Sequence, residues 1–422
     1  MRLFAAFAIA KFLRFLTRLR GGGSAFPGFV LLRLVPDALE RAVGSLPRGV
    51  IFVTGSNGKS TTTAMLTEIL RAHGLRVFSN PAGGNLPQGL ASALVGGASL
   101  LGRVAADIAV LEVDEAYGPS ISDLVAPDWV VITNIQVDQL NRFGEPEAVY
   151  RLLLTLGHRA TAGVVINGSD PNTTALGAEL HATGTRVEQM QVSSAAQATA
   201  AHGLVPAPLF FDPTPNLAVA PGVVVSAVRG PQASLDVAGA VWKVTLPQPG
   251  LHYAVDAGLA MEMASVVLQD FKPERAVAAL ELGAGVYGRG EVIRYRGVDI
   301  SLTMMKNLPS LQVNLDAFPA PLENVFIAVD EGTPDPSWIF DVDTRSLASV
   351  SVLSGSKAWQ WALLLEHRGI PYGEVIEDSR AGLEAFIKNS PPQGGPLHAI
   401  VNYEQMMRIR RIAGYKELEG AR

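Results

Sequence analysis

Cysteine is absent from all 422 residues. That excludes disulfides, thiol nucleophiles and thiolate metal sites, and it leaves the redox compartment undetermined. Structural zinc would need a cluster of histidines, and His181, His202 and His252 in the less regular middle of the chain stand far apart, so no zinc is expected. Positive charge is not in excess either. The net charge of −5 gives no reason to expect nucleic acid as a partner. With 48% hydrophobic and 17% charged residues the chain is globular, and it is long enough for two or three domains.

Acid is missing from residues 1–20, which hold Arg2, Lys11, Arg14, Arg18 and Arg20. From Ile9 onward Phe12, Leu13, Leu16 and Leu19 form one helical stripe, with Lys11, Arg14 and Arg18 opposite. The apolar stretch is too short and interrupted to span a bilayer. Lys11 and Arg14 would also split the apolar region of a secretory leader. Two readings stay open: a helix lying on an anionic membrane surface, or one packed on its own domain or a partner. Gly21-Gly22-Gly23-Ser24 then reads as a flexible break.

What the chain does have is a phosphate-binding loop. Val50-Ile51-Phe52-Val53 reads as a buried parallel strand that stops at Thr54-Gly55, and a helix with Met65, Leu66, Ile69 and Leu70 on one face follows. Between them lies Gly55-Ser56-Asn57-Gly58-Lys59-Ser60. Its glycines let the backbone turn its N–H groups onto an anion at a helix N-terminus. Lys59 is expected to reach the terminal phosphates of ATP, and Ser60 to ligate Mg²⁺. The pattern is shorter than the usual one, because Val53 stands where its first glycine would be. Further strands are expected at 107–113, 129–135 and 163–167, alternating with helices, which argues a doubly wound parallel α/β sheet. Glu112, Asp114 and Glu115 cluster at the carboxyl end of one of these strands, where ligands of such sheets bind. Glu112 is the expected metal ligand.

Thr54-Gly55-Ser56-Asn57-Gly58-Lys59-Ser60-Thr61-Thr62 resembles the loop of the Mur ligases. Leu111-Glu112-Val113-Asp114-Glu115 and Asp138-Gln139-Leu140-Asn141-Arg142 resemble more particularly the branch of that family that amidates lipid II together with a glutamine amidotransferase of the GatD type. Mur ligases proper usually carry His where Gln139 stands. The resemblance implies the fold of the family's central P-loop domain plus a smaller, Rossmann-like C-terminal α/β domain. Thr54, Gly55, Ser56, Asn57, Gly58, Lys59, Ser60 and Thr61 would bind ATP. Gly250-Leu251-His252-Tyr253-Ala254-Val255-Asp256-Ala257 resembles the family's nucleotide-contacting turn, which adds His252 and Asp256. Tyr253 and Asp256 replace the usual Asn residues there.

Arg289, in Gly285-Val286-Tyr287-Gly288-Arg289-Gly290-Glu291, resembles the hinge arginine that reaches ATP phosphates. Met304-Met305-Lys306-Asn307-Leu308-Pro309 resembles a Lys-Asn-Pro-Ala-Gly segment, altered after Asn307. In the stretch 330–341, Asp335 matches an acid thought to complete a Cys-His pair on the amidotransferase partner. Relatives in this branch typically carry a four-cysteine zinc ribbon in the middle of the chain; none is possible here.

The expected organisation is a cationic segment at 1–45, an ATP-binding domain at 46–284 with an irregular β-insertion at about 185–248, and a C-terminal α/β domain at 285–422. In that last part strands are expected at 298–303, 324–329, 349–354, 373–377 and 397–402, with helices near 356–368 and 379–389. The implied chemistry is ATP- and Mg²⁺-dependent amidation of the D-glutamate α-carboxyl of lipid II through an acyl phosphate. Lys59, Glu112, Arg289 and Asp335 would be the catalytic residues, in a cytoplasmic protein that can sit peripherally at the inner membrane face. Two alternatives stay open: an amino-acid-adding ligase of the Mur or folylpolyglutamate type, and a degraded ATP-binding scaffold.

Overall fold

The computed structural model describes residues 2–19, 25–80, 84–211, 216–283, 289–318, 321–331, 337–390 and 395–415. Its first sheet contains β1 (Val50–Thr54), β2 (Val77–Ser79), β3 (Ile108–Glu112), β4 (Trp129–Ile132), β5 (Gly163–Asn167), β6 (Val187–Val192), β7 (Val223–Arg229), β8 (Gln232–Val237) and β9 (Ala240–Thr245). The spatial order is 2-3-1-4-5-6-7-8-9. Strands β2 to β7 pair in parallel, and β8 and β9 add antiparallel at one edge.

Strand β1 is buried at every position and apolar from Val50 to Val53, because both its faces are covered. Val50 and Phe52 join the core beneath the helices Pro87–Gly97, Pro146–His158 and Pro171–Ala182. Ile51 and Val53 join the opposite core, beneath Lys59–Ala72, Leu251–Val267 and Pro273–Leu282.

The stretch 185–248 is not the irregular insertion expected from sequence. Strand β6 and the β7–β9 meander continue the main sheet, with Met190 of β6 opposite Val223 of β7. Val223, Val225 and Leu235 are buried in the core that helix Leu251–Val267 also fills. The Pro- and Ala-rich connection before β7 hid this from a local reading.

A second sheet holds β10 (Arg289–Tyr295), β11 (Val298–Met304), β12 (Val325–Ala328), β13 (Val350–Ser354), β14 (Tyr372–Ile376) and β15 (Leu397–Val401), in the order 10-11-15-12-13-14. It is parallel except for β10. Helices Leu308–Asp316 and Ala358–Arg368 cover one face, through Leu311, Leu315, Trp361 and Leu365. Ser379–Asn389 and Tyr403–Ile412 cover the other, through Leu383, Phe386, Met406 and Ile409. Five strands and both named helices lie where the sequence put them. Strand β10 was not expected. Its hairpin turns at Arg296 and Gly297, both at positive φ (49° and 83°), the backbone of a two-residue hairpin turn.

The N-terminal helix Arg2–Leu19 is docked on the first unit. Ala6, Phe7 and Ala10 are buried, and Lys11 Nζ donates to Val95 O at 2.9 Å. The cations do not form an outward face, as the helical-stripe reading had it. Lys11 and Arg14 reach toward helix Pro87–Gly97, while Phe4, Phe12, Phe15, Leu16 and Leu19 are exposed. Among the described residues no helix is long and apolar enough to cross a membrane.

Candidate functional site

Strand β1 ends at Thr54, and the chain turns at once into helix Lys59–Ala72. Gly58 makes the turn possible. Its φ is +83°, and a Cβ there would collide with Asp256 Oδ1. No side chain caps the helix at this end, so the loop presents a helix N-terminus of the kind that holds anions. The neighbouring loop after β4 fixes its shape. Asn57 N donates to Asn134 Oδ1 at 2.9 Å, Gln136 N to Ser56 Oγ at 3.0 Å, and Thr133 Oγ1 to Asn57 O at 2.6 Å.

Lys59 is buried and bent over its own loop, donating to Gly55 O (2.6 Å), Ser56 O (3.3 Å) and Glu115 Oε1 (2.9 Å). Burial alone would lower its pKa. The charges of Glu115 and Glu112 and the hydrogen bond to Glu115 outweigh that, so the ammonium is held above its ordinary value and stays a cation. Glu112 ends β3, where its carboxylate accepts from Asn85 Nδ2 at 3.0 Å. The carboxylate in direct contact with Lys59 is Glu115. Asp114 takes a bidentate pair from Arg142 (2.6 and 2.9 Å), which joins the two acid- and base-rich motifs of the sequence. Burial would raise the pKa of Asp114, but Arg142 and Lys59 pull it below its usual range.

The second unit closes over this loop with Lys306, which follows β11. Its Nζ lies 2.5 Å from Asp138 Oδ2 and 3.3 Å from Ser56 O, the carbonyl that Lys59 also reaches. A capping box holds it there. Asn307 caps helix Leu308–Asp316 with Ser310 as its reciprocal partner, and Lys306 N donates to Ser310 Oγ at 2.9 Å. Asn57 Nδ2 adds a long bond to Asn307 Oδ1 across the same gap, 3.4 Å. Ser310, which breaks the resembled segment, is therefore the residue that fixes Lys306.

A cleft between the units is lined by Asn57, Gly58, Asn134, His252, Asp256 and Lys306. Thr62 Oγ1 donates to Asp256 Oδ1 at 3.2 Å. Thr54 and Thr61 are buried beneath the loop and Ser60 is half-buried at the helix start. The side chain of Arg289, at the start of β10, and the whole of Asp335 lie outside the described residues.

Sequence reasoning gave no role to Asn134, Gln136 or Asp138, although all three follow the carboxyl end of β4, the position that flagged Glu112. Four buried polar atoms at the site have no hydrogen-bond partner among the described residues: Thr54 Oγ1, Glu115 Oε2, Asp138 Oδ1 and Asn307 Nδ2. Two unpartnered carboxylate oxygens beside two lysines and a glycine cradle suit a hard cation with a polyphosphate. Among the described residues no group of three or more His, Asp or Glu would hold a metal by itself.

Residues 53–205 match the Mur ligase middle domain. Over 152 residues the chain is 39% identical to the lipid II isoglutaminyl synthase (glutamine-hydrolyzing) subunit MurT of Streptococcus pneumoniae, which covers 36% of this chain and 33% of that protein. The match therefore spans about a third of that relative's length. The UDP-N-acetylmuramate–L-alanine ligase of Thermobifida fusca is 28% identical over 294 residues, 69% of this chain and 55% of the ligase. Among solved structures, MurF ligase from Thermotoga maritima in complex with ADP superposes with a TM-score of 0.65 at 17% identity, covering 93% of this chain and 84% of the ligase. The loop that carries Lys59 thus lies in the part of the chain, residues 53–205, that matches the Mur ligase middle domain.

Proposed function

We propose that this chain is the ATP-using subunit of a ligase that converts the D-glutamate α-carboxyl of lipid II to a carboxamide, with ammonia from a glutamine amidotransferase of the GatD type. The observation that carries the reading is the convergence of two ammonium groups, Lys59 and Lys306, on Ser56 O of the glycine loop. Two cations from separate units at one loop suit the charge that spreads over a phosphoryl group in transfer. Ser60, Glu112 and the unpartnered oxygens of Glu115 and Asp138 would hold Mg²⁺. When bound, the metal neutralises phosphate charge.

The substrate carboxylate attacks the γ-phosphorus, ADP leaves, and an acyl phosphate results. Ammonia then attacks the acyl carbon, the C–O bond to phosphate breaks, and inorganic phosphate leaves with the bonding pair as the nitrogen gives up one proton. Lys59 and Lys306 stabilise charge in the first step, with Arg289 from the second unit as a further hydrogen-bond donor to phosphate oxygens. Ammonia must come from a partner, because a chain without cysteine lacks the usual thiol for glutamine hydrolysis. Asp335 orients the partner's histidine. The reaction is cytoplasmic, at the inner membrane face where the lipid-linked substrate lies.

The runner-up is an amino-acid-adding ligase, favoured by the longer match to the Thermobifida ligase. Incubating the chain and its amidotransferase with ATP, lipid II and either glutamine or single amino acids separates the two. ADP release that depends on glutamine or ammonium, with a carboxamide product by mass spectrometry, is expected. A product that has gained an amino-acid residue would overturn amidation. Asp335→Asn should then cripple glutamine-dependent turnover and leave most of the ammonium-dependent turnover. Equal loss of both in an assembled complex would sink the role of Asp335.

A further inference from the structure

The N-terminal helix buries one stripe and exposes another on its far side. Ala6, Phe7 and Ala10 face the domain, and Phe12 (60% exposed), Phe15 (59%) and Leu19 (69%) face away. Helix Ala25–Leu34, packed against it, exposes Phe26 and Phe29. The loop at Leu100 and Leu101 is exposed as well, and its Gly102 lies where a Cβ would press on Phe7. Three segments thus carry large apolar side chains to the outside of one end of the molecule. A soluble surface rarely gathers this much apolar area without an occupant.

Charge chooses the occupant. Before Asp37 the chain has Arg2, Lys11, Arg14, Arg18, Arg20 and Arg33 and no acid, which leaves the remaining residues at −11. Lys11 and Arg14 lean on helix Pro87–Gly97 and act through the net field of this end, which matches an anionic lipid surface, whereas two copies meeting by this same face would set cation against cation. The helices are too short or too polar to cross the bilayer.

We propose that helices Arg2–Leu19 and Ala25–Leu34, with the Leu100–Leu101 loop, form a platform that lies in the headgroup region of an anionic bilayer, with Phe12, Phe15, Leu19, Phe26 and Phe29 inserted. The platform is coupled to the site by one helix. Gly28 N donates to Ser92 Oγ at 2.9 Å on helix Pro87–Gly97, and just before that helix Asn85 holds Glu112. One helix thus ties the platform to the strand end that carries Glu112. The inference stands apart from the amidation reading, since it needs no substrate.

The test uses the full chain and substrate-free vesicles of phosphatidylglycerol with phosphatidylcholine, against phosphatidylcholine alone, in a flotation assay. Binding to the anionic vesicles, weakened in about 0.5 M salt, is expected. The triple change Phe12→Ser, Phe15→Ser, Leu19→Ser should lower partitioning by about tenfold or more with an unchanged melting curve. As a second readout independent of any loss of folding, Phe15→Trp should give a blue-shifted emission component on anionic vesicles. Absence of that shift, or vesicle binding unaffected by the triple change, overturns the proposal. So does a dimer in sedimentation that the triple change dissociates while vesicles are ignored.

Discussion

At the scale of single residues, Lys59 and Glu115 form a buried ion pair beside the glycine loop that opens helix Lys59–Ala72. Removing the lysine takes away charge stabilisation and strands a buried carboxylate, which can protonate. Lys59→Ala is expected to lower ADP release by about 10²–10³-fold while the protein still melts cooperatively. Unchanged turnover would remove the phosphate role. Lys306→Ala should act on the same step, more weakly because its ammonium is partly exposed.

Glu262 offers a different kind of test. Burial pushes its carboxyl up to about 8, although backbone N–H groups of Val223 and Gly222 favour the anion. A carboxyl raised in the folded state contributes full stability below its ordinary 4.5, and that contribution is lost as pH rises toward 8. The loss reaches about 3 kcal/mol by pH 7. Glu262→Gln, neutral at every pH, should therefore raise the melting midpoint by about 3–6 °C at pH 8 and leave it unchanged near pH 4.5. A midpoint gain independent of pH would show that packing, not ionisation, is at issue.

At the scale of elements, the sequence exposed what is local and hid what is not. Strands β1, β3, β4 and β5 are continuous apolar runs because both faces are buried, and that pattern is readable without neighbours. The glycine loop was equally local. Strand β10 was hidden because a hairpin with a solvated edge looks like a Gly-rich hinge. Helix Leu308–Asp316 was hidden because its start depends on the reciprocal Asn307–Ser310 cap. Lys306 could be quoted from sequence, but its reach to Asp138, 168 residues away, is a property of closure.

The N-terminal helix gave a partial answer: the amphipathic period was real, yet its buried stripe is the one carrying Ala6, Phe7 and Ala10. Docking of the next helix depends on Gly28, where a Cβ would press into Gln88 O and Ser92 N. Backbone cannot yield as a flexible side chain can, so Gly28→Val should cost about 1–3 kcal/mol. Proteolysis between 19 and 25 that becomes faster in this variant would register the undocking. Equal cleavage rates would mean that the helix adjusts.

At the scale of the whole molecule, the units are joined over the cleft by Lys306–Asp138, by Asn57–Asn307, and by His202. That histidine belongs to the first unit, in the stretch after β6, and its ring lies between two acids of the second unit. Nδ1 is 3.0 Å from Asp316 Oδ1 and Nε2 is 3.3 Å from Asp343 Oδ2, while His202 N donates to Asp316 Oδ2 at 3.1 Å. None of these groups lines the loop around Lys59, so the contact bears on closure rather than on chemistry. A ring one-third exposed contributes modestly, about 1 kcal/mol after solvent screening. Losing that much of the closed form weakens binding of a ligand held between both units by about fivefold. His202→Ala is therefore expected to raise the KM for ATP by about fivefold, to leave kcat at saturating ATP nearly unchanged, and to increase the radius of gyration in small-angle scattering. His202→Gln, which keeps a donor toward Asp316, should recover part of the affinity. A lower kcat at unchanged KM would place His202 in the chemistry, and unchanged kinetics with a lower melting midpoint would make it a purely structural strut.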